Sequence, residues 1–301
     1  MSDRSATAGV VLAACGAISY GVTVVVGEDL ADAHLGPSTA LGVRFTVGGL
    51  LLAIALRVRG LRVFPSRRSV LIGLGLGLVY AVESTLFFSA LERMTAAATA
   101  LIFYVYPSVV TVIELTRGRE HPHRSTFIAL GLSTLGTGIV VVAGSDVSVT
   151  TAGVLCALGA AGSFAVYLLA GREFGSEIEP MTIACWIAIG AGVANLLKGA
   201  ATQELVNPSS HAVEMVMYGA STAIAFTLTF AAMRHIGAAR VAVVMTLEAA
   251  SSVVMAAIFL GEDITVMQGV GGCAVLAAAV VIALGQPGVA TAEASAPGAA
   301  P

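Results

Sequence analysis

The stretch VVMTLEAASSVV, residues 243–254, sets one carboxylate, Glu248, inside a long apolar run. An acidic residue at a bilayer centre costs roughly 2.5–3.5 kcal/mol, so its presence implies work or a partner. One chemistry open to it is to bind a proton or a substrate amine on one side of a membrane and release it on the other. The other reading is a structural carboxyl, protonated or hydrogen-bonded between helices.

A second carboxylate, Glu83 in LVYAVESTLFF, and one arginine, Arg44 in LGVRFTV, sit in similar apolar surroundings. Tyr80 and Phe87 lie three and four residues from Glu83 and share its helical face, and Ser84 follows it directly. That mixture of aromatic, hydroxyl and carboxylate groups suits the wall of a site for a zwitterionic or amphipathic solute. A Glu83–Arg44 salt bridge that locks two helices and never meets substrate explains the same residues. Phe103, Tyr104 and Tyr106 flank Pro107, while Tyr20, Tyr167 and Trp186 belong to other segments; each either lines a cavity or packs. The candidate substrate- or proton-binding set is therefore Glu248, Glu83, Arg44, Tyr80, Ser84, Phe103, Tyr106 and Trp186, with Pro107 as a hinge.

The elements that must carry these residues follow from composition. The chain has 301 residues, 57% of them hydrophobic and 11% charged, with a mean hydropathy of +0.93. Such a composition excludes an ordinary soluble domain and indicates an integral membrane protein. Cys15, Cys156, Cys185 and Cys273 lack paired or metal-ligand spacing and read as packing residues. The five histidines, His34, His121, His123, His211 and His235, fall in connecting segments, which argues against a buried histidine proton relay. The run GLGLGLV is followed by no Lys-Ser/Thr, so Gly73, Gly75 and Gly77 indicate close helix approach rather than a phosphate loop. No nucleophile–base set, metal cluster, cofactor motif or nucleic-acid signature is visible, so no enzyme, cofactor or nucleic-acid partner is expected.

A membrane-crossing helix needs about 20 apolar residues. Breaks at Gly, Pro and charge clusters divide the chain into ten such segments, near 7–26, 38–56, 69–91, 96–116, 126–143, 151–170, 180–198, 212–233, 239–260 and 266–284. The tail beyond Gln286, PGVATAEASAPGAAP, is expected to be disordered. Twelve arginines (Arg4, Arg57, Arg59, Arg62, Arg67, Arg68, Arg117, Arg119, Arg124, Arg172, Arg234 and Arg240) fall on one side if the N-terminus is cytoplasmic. Arg93 and Lys198 fall on the other, so the positive-inside rule puts both termini in the cytoplasm. Glu114 and Glu120 lie near these arginines and read as snorkelled or capping charges, Glu120 and Glu262 each opening a following helix.

An internal repeat is present. TAGV occurs at 7–10 and again at 151–154, and FSALERMTAAATAL from Phe88 aligns without gaps on FAAMRHIGAARVAV from Phe230. Leu12-Ala13-Ala14-Cys15 imitates a lipoprotein cleavage box, but the repeat makes the first segment the counterpart of an internal helix, which argues for its retention. Repeats of five helices, 7–143 and 151–284, flanked by a cytoplasmic N-terminus at 1–6 and a cytoplasmic tail at 285–301, enter the membrane from opposite sides. This is the inverted topology that alternating-access carriers use.

Two stretches, ALERMTAAATALIFYVYPSVVTVIE (90–114) with GRE (118–120) and AMRHIGAARVAVVMTLEAASSVVMAAIFLGEDIT (232–265) with QGVGG (268–272), resemble the drug/metabolite transporter superfamily, specifically its EamA-type ten-helix members. The resemblance covers residues 7–284. It implies an all-α integral membrane fold of ten transmembrane helices and a secondary exporter of amino acids, metabolites or drug-like compounds in the inner (cell) membrane. Members usually carry a proline at the centre of the fourth helix of each repeat; Pro107 supplies the first, but Ala249, beside Glu248, stands where the second belongs. The expected partners are a small-molecule substrate, membrane lipid and a proton as counter-ion, in a monomer or homodimer. A uniporter or importer is the alternative carrier, and a non-transporting membrane scaffold is the alternative of another class, against which the short loops count.

Overall fold

A computed structural model describes residues 3–32, 36–119, 124–143, 148–207, 209–259 and 263–284. Glu120, Glu262, His34, His121, His123 and the tail from residue 285 lie outside the described residues. The helices are α1 (Asp3–Asp32), α2 (Pro37–Val58), α3 (Arg67–Leu91), α4 (Ala96–Phe103), α5 (Tyr106–Thr116), α6 (Arg124–Val142), α7 (Thr151–Gly175), α8 (Pro180–Thr202), α9 (Ala212–Met245), α10 (Leu247–Phe259) and α11 (Val266–Leu284). Their starts follow ordinary capping chemistry: Ser66, Thr95, Thr150 and Glu179 accept backbone N–H bonds at the N-caps of α3, α4, α7 and α8. Pro37 and Pro180 occupy first-turn positions whose missing N–H costs nothing.

Among the described residues, nine helical spans are long and apolar enough to cross a membrane, α4 with α5 forming one of them and α9 counted once; α10 adds a shorter apolar helix. α9 has 34 residues, about 50 Å at ~1.5 Å per residue, against a hydrocarbon core of about 30 Å. It bends at Gly237, whose φ of 77° and ψ of 169° are closed to residues with a Cβ. One glycine thus does the work of the connection expected between 233 and 239. His235, expected in that connection, lies within the helix, where its Nδ1 is 3.1 Å from the Ser5 hydroxyl.

Two expected continuous segments are each broken in the middle. In the first, Pro107 has no N–H to give the Phe103 carbonyl, and the chain leaves α4 at Tyr104 and enters α5 at Tyr106. In the second, Thr246 separates α9 from α10 without any proline. Its hydroxyl (2.7 Å) and its own N–H (3.3 Å) both donate to the Val243 carbonyl, drawing the chain into a tighter turn. In the gapless repeat register Thr246 is the partner of Tyr104, and Glu248 of Tyr106.

α1 packs on α9 and α10, α2 on α8 and α9, α3 on α7 and α8, α5 on α7 and α9, and α6 on α11. Small residues allow the approach, as close packing rather than water exclusion drives association in lipid. Gly73 and Gly77 lie against Trp186, Ile187 and Ala191 of α8, where a Cβ would collide, whereas Gly75 between them meets nothing within 4 Å. The first and third glycines of GLGLGLV therefore form a contact face for α8. The buried centre of the bundle is aromatic, with Phe45, Tyr80, Tyr106, Phe164, Tyr167 and Phe226 in one cluster.

Candidate functional site

Arg44 of α2 is buried in this centre. Its Nε donates to the Thr222 hydroxyl (2.6 Å) and an Nη to the Tyr218 hydroxyl (3.4 Å), both on α9. Its guanidinium also lies over the rings of Tyr218 and Phe45, 4.5 and 4.9 Å from their centroids. These contacts spread its charge without neutralising it.

Glu83 is buried on α3, beside the Ser84 hydroxyl at 3.1 Å; that hydroxyl also donates to the Tyr80 carbonyl (2.9 Å). Glu248 is half-buried in the first turn of α10, where unsatisfied backbone N–H groups favour negative charge. Glu83 and Glu248 are within electrostatic reach of each other and of Arg44. None of the four ion pairs found among the described residues joins these three groups. The expected alternative of a Glu83–Arg44 salt bridge is thus replaced by Arg44–hydroxyl bonds that leave both carboxylates without a bound cation in the described structure.

Aromatic rings connect the groups. Tyr80 meets Phe226 edge-on at 4.9 Å, Tyr167 at 5.0 Å and Phe45 at 5.5 Å. Tyr106 meets Phe164 at 4.7 Å, and Phe103 contacts Tyr106, Phe164 and Phe87. The Tyr106 hydroxyl donates to the Ala242 carbonyl (3.4 Å), tying α5 to the last part of α9. The Tyr167 hydroxyl is buried with no hydrogen-bond partner among the described residues.

Glu248, Glu83, Arg44, Tyr80, Ser84, Phe103 and Tyr106 therefore surround one region, with Pro107 buried at the α4–α5 break. Trp186 does not join them. Its ring packs on Phe64 at 4.9 Å and its indole N–H donates to the Val63 carbonyl (2.8 Å), because α8 turns this position toward the segment preceding α3. Residues overlooked in the sequence include Phe45, Phe164, Tyr218, Thr222 and Phe226. The repeat held a sign of one, since Phe164 is the register partner of Tyr20; the others look like ordinary packing residues until the helices are assembled.

A correction concerns Glu114, expected within reach of water. Its side chain is 0% exposed and pairs with Arg172 of α7, because α5 tilts this face onto α7 and α9. An unpaired carboxylate there would be prohibitively costly, so the guanidinium is what allows the burial.

Comparisons with known proteins agree with this architecture. The threonine/homoserine exporter RhtA of Salmonella typhimurium (strain LT2) is 27% identical over 253 residues, spanning 81% of each chain. The protein of the same name from Escherichia coli (strain K12) is 27% identical over 250 residues, again spanning 81% of each. A crystal structure superposes with a TM-score of 0.79 at 17% identity, over 91% of this chain and 95% of the other, which shows a shared fold. The model of the EamA-like transporter family matches residues 7–142 and 151–284, nearly the whole chain. This protein, a multi-pass membrane protein, belongs to the EamA-like transporter family, whose members are transporters and not enzymes.

Proposed function

We propose that the protein exports a small zwitterionic solute, amino-acid-like in its charges, from the cytoplasm by alternating access, in exchange for protons. The observation that carries the reading is that one guanidinium and two carboxylates lie within electrostatic reach of one another, with no ion pair among them, around the aromatic centre of the bundle. Arg44 offers a fixed cation for a solute carboxylate. Glu248 offers an anion for its amine, and the Tyr167 hydroxyl a partner for a further polar group. Either carboxylate can take a proton when the amine leaves, which couples the two fluxes. The name of the similar exporters, threonine/homoserine, supports a substrate of this size and charge.

Inverted repeats at 7–143 and 151–284 supply the movement. Exchange α1 with α7, α2 with α8, α3 with the first part of α9, α4–α5 with the rest of α9 and α10, and α6 with α11. The contacts α1 to α9 and α2 to α9 become α7 to α3 and α8 to α3, while α2 to α8 and α6 to α11 map onto themselves. A bundle with this exchange symmetry has two related packings, one open to each side. The paired breaks at Tyr104 and Thr246 allow the outer half-helices to swing, with Pro107 as one hinge. The arginine distribution supports ten crossings with both termini cytoplasmic, in the inner membrane.

The test is metabolite profiling of medium from cells expressing wild type, Glu248→Gln or Glu83→Gln at matched levels. The expected result is one class of zwitterion that rises outside with wild type and not with Glu248→Gln. Media that all match the empty-vector control, with folded protein in the membrane, would move an importer, a uniporter or a scaffold ahead of it.

A further inference from the structure

The two central carboxylates are held in different ways. Glu248 stands in the first turn of α10, where backbone N–H groups have no partner within the helix and favour an anion. Glu83 stands in the body of α3, where the helix uses its own backbone N–H groups, and it is buried there. None of the ion pairs among the described residues includes it. The groups facing it are Arg44 of α2, Tyr167 of α7 and Glu248 of α10, with Tyr80 on its own helix. No charge of α4 or α8, which also pack on α3, is among them. Arg44 is turned to Thr222 and Tyr218.

The hydrogen bonding of Glu83 rests on the Ser84 hydroxyl, 3.1 Å away. That hydroxyl also lies 2.9 Å from the Tyr80 carbonyl. A serine hydroxyl has one proton to give, and a carbonyl can only accept. When Ser84 gives its proton to Tyr80, its contact with Glu83 is a hydrogen bond only if the carboxyl is protonated and donates to the Ser84 oxygen. When Glu83 is ionised, the Ser84 proton must turn to it, and the Tyr80 carbonyl keeps its helical bond alone. The shorter contact is the one to the carbonyl, as in the neutral arrangement.

We infer that Glu83 carries the exchanged proton, that Glu248 is left to hold the solute amine, and that Ser84 is the positioning residue that passes the state of Glu83 to α3. The assignment rests on the exporter reading above and divides its two carboxylates by role. A proton from outside forms the Glu83 Oε–H bond; this group donates to Ser84 Oγ, whose own proton goes to the Tyr80 carbonyl. Release toward the cytoplasm breaks the Oε–H bond, and the Ser84 proton turns to the carboxylate. A hydroxyl bonded to the carbonyl four residues back bends a helix, so the exchange alters α3 at Tyr80. The Tyr80 ring packs on Phe45, Tyr167 and Phe226, which carries the change into the aromatic centre.

The test is infrared spectroscopy of the full chain in phosphatidylcholine nanodiscs, titrated with pH in light and heavy water and without any solute. The wild type should show the C=O stretch of a protonated carboxyl at neutral pH, shifted in heavy water. The band should persist in Glu248→Gln and be lost in Glu83→Gln. Ser84→Ala should move it, and Ser84→Thr, which keeps the hydroxyl, should return it to the wild-type position; a role in packing alone would leave the band in place. Absence of the band from the wild type at neutral pH would overturn the assignment, whether or not any variant folds. Its loss in Glu248→Gln and retention in Glu83→Gln would do the same, and a band unmoved by Ser84→Ala would remove Ser84 from the mechanism. Because no solute is added, a band that behaves as expected in a protein that exports nothing would count against the exporter reading and not against the protonation of Glu83.

Discussion

Glu114 of α5 and Arg172 of α7 form an ion pair between the first and second halves of the chain, with the carboxylate fully buried and the guanidinium partly exposed. Arg172 also lies against Gly237: a Cβ built there would be 3.1 Å from its Nη1. One side chain therefore touches the half-helix α5 and the bend of α9, joining two of the places where the bundle can flex.

Removing one partner of a buried pair leaves the other uncompensated, which costs roughly 3–5 kcal/mol. Arg172→Gln, which strands the fully buried Glu114 carboxylate, is expected to lower the thermal midpoint strongly in detergent. Adding Glu114→Gln to it should cost less than the sum of the two single changes, since the second change removes the stranded charge. Additive losses would show that the two side chains are not coupled.

Gly237→Ala should destabilise by about 1–3 kcal/mol, because φ of 77° strains any residue with a Cβ and the added methyl meets Arg172. Gly75→Ala is the control. With nothing within 4 Å of its Cβ, it should change stability by no more than about 0.5 kcal/mol. Thermal unfolding of the two variants side by side separates backbone strain from the general effect of adding a methyl group.

At the proposed transport site, Glu248→Gln keeps shape and removes charge. Loss of a charged hydrogen bond worth about 1.5–3 kcal/mol should lower export efficiency roughly ten- to hundredfold with expression unchanged. Arg44→Lys should also impair export despite the retained charge, since an ammonium lacks the fork that bonds Thr222 and Tyr218 together. Full export by both variants in a proteoliposome assay would remove these residues from the mechanism.

Trp186 is the only tryptophan, and its nearest ring is Phe64 rather than any member of the central cluster. Phe64→Ala should shift its emission to longer wavelength by admitting water to the indole. Tyr80→Phe, in the central cluster, should leave the spectrum unchanged.

The sequence by itself determined the helical segments, within a few residues for α2, α3, α6 and α11, and the repeat register that pairs Glu248 with Tyr106. Apolar length and helix-breaking residues are local properties, and in lipid each stretch must satisfy its own backbone, so segmentation can be read without knowing the fold. It also marked Glu83, Glu248 and Arg44, because a charge in an apolar run stands out wherever the run is placed. Only the tertiary structure decided which faces meet. It turned Trp186 away from the centre, buried Glu114 against Arg172, and gave Arg44 to Thr222 and Tyr218 instead of Glu83. It also broke the helix at Thr246 without a proline. These outcomes depend on the tilt and rotation of helices far apart in the chain, which side-chain packing sets and local hydropathy does not encode.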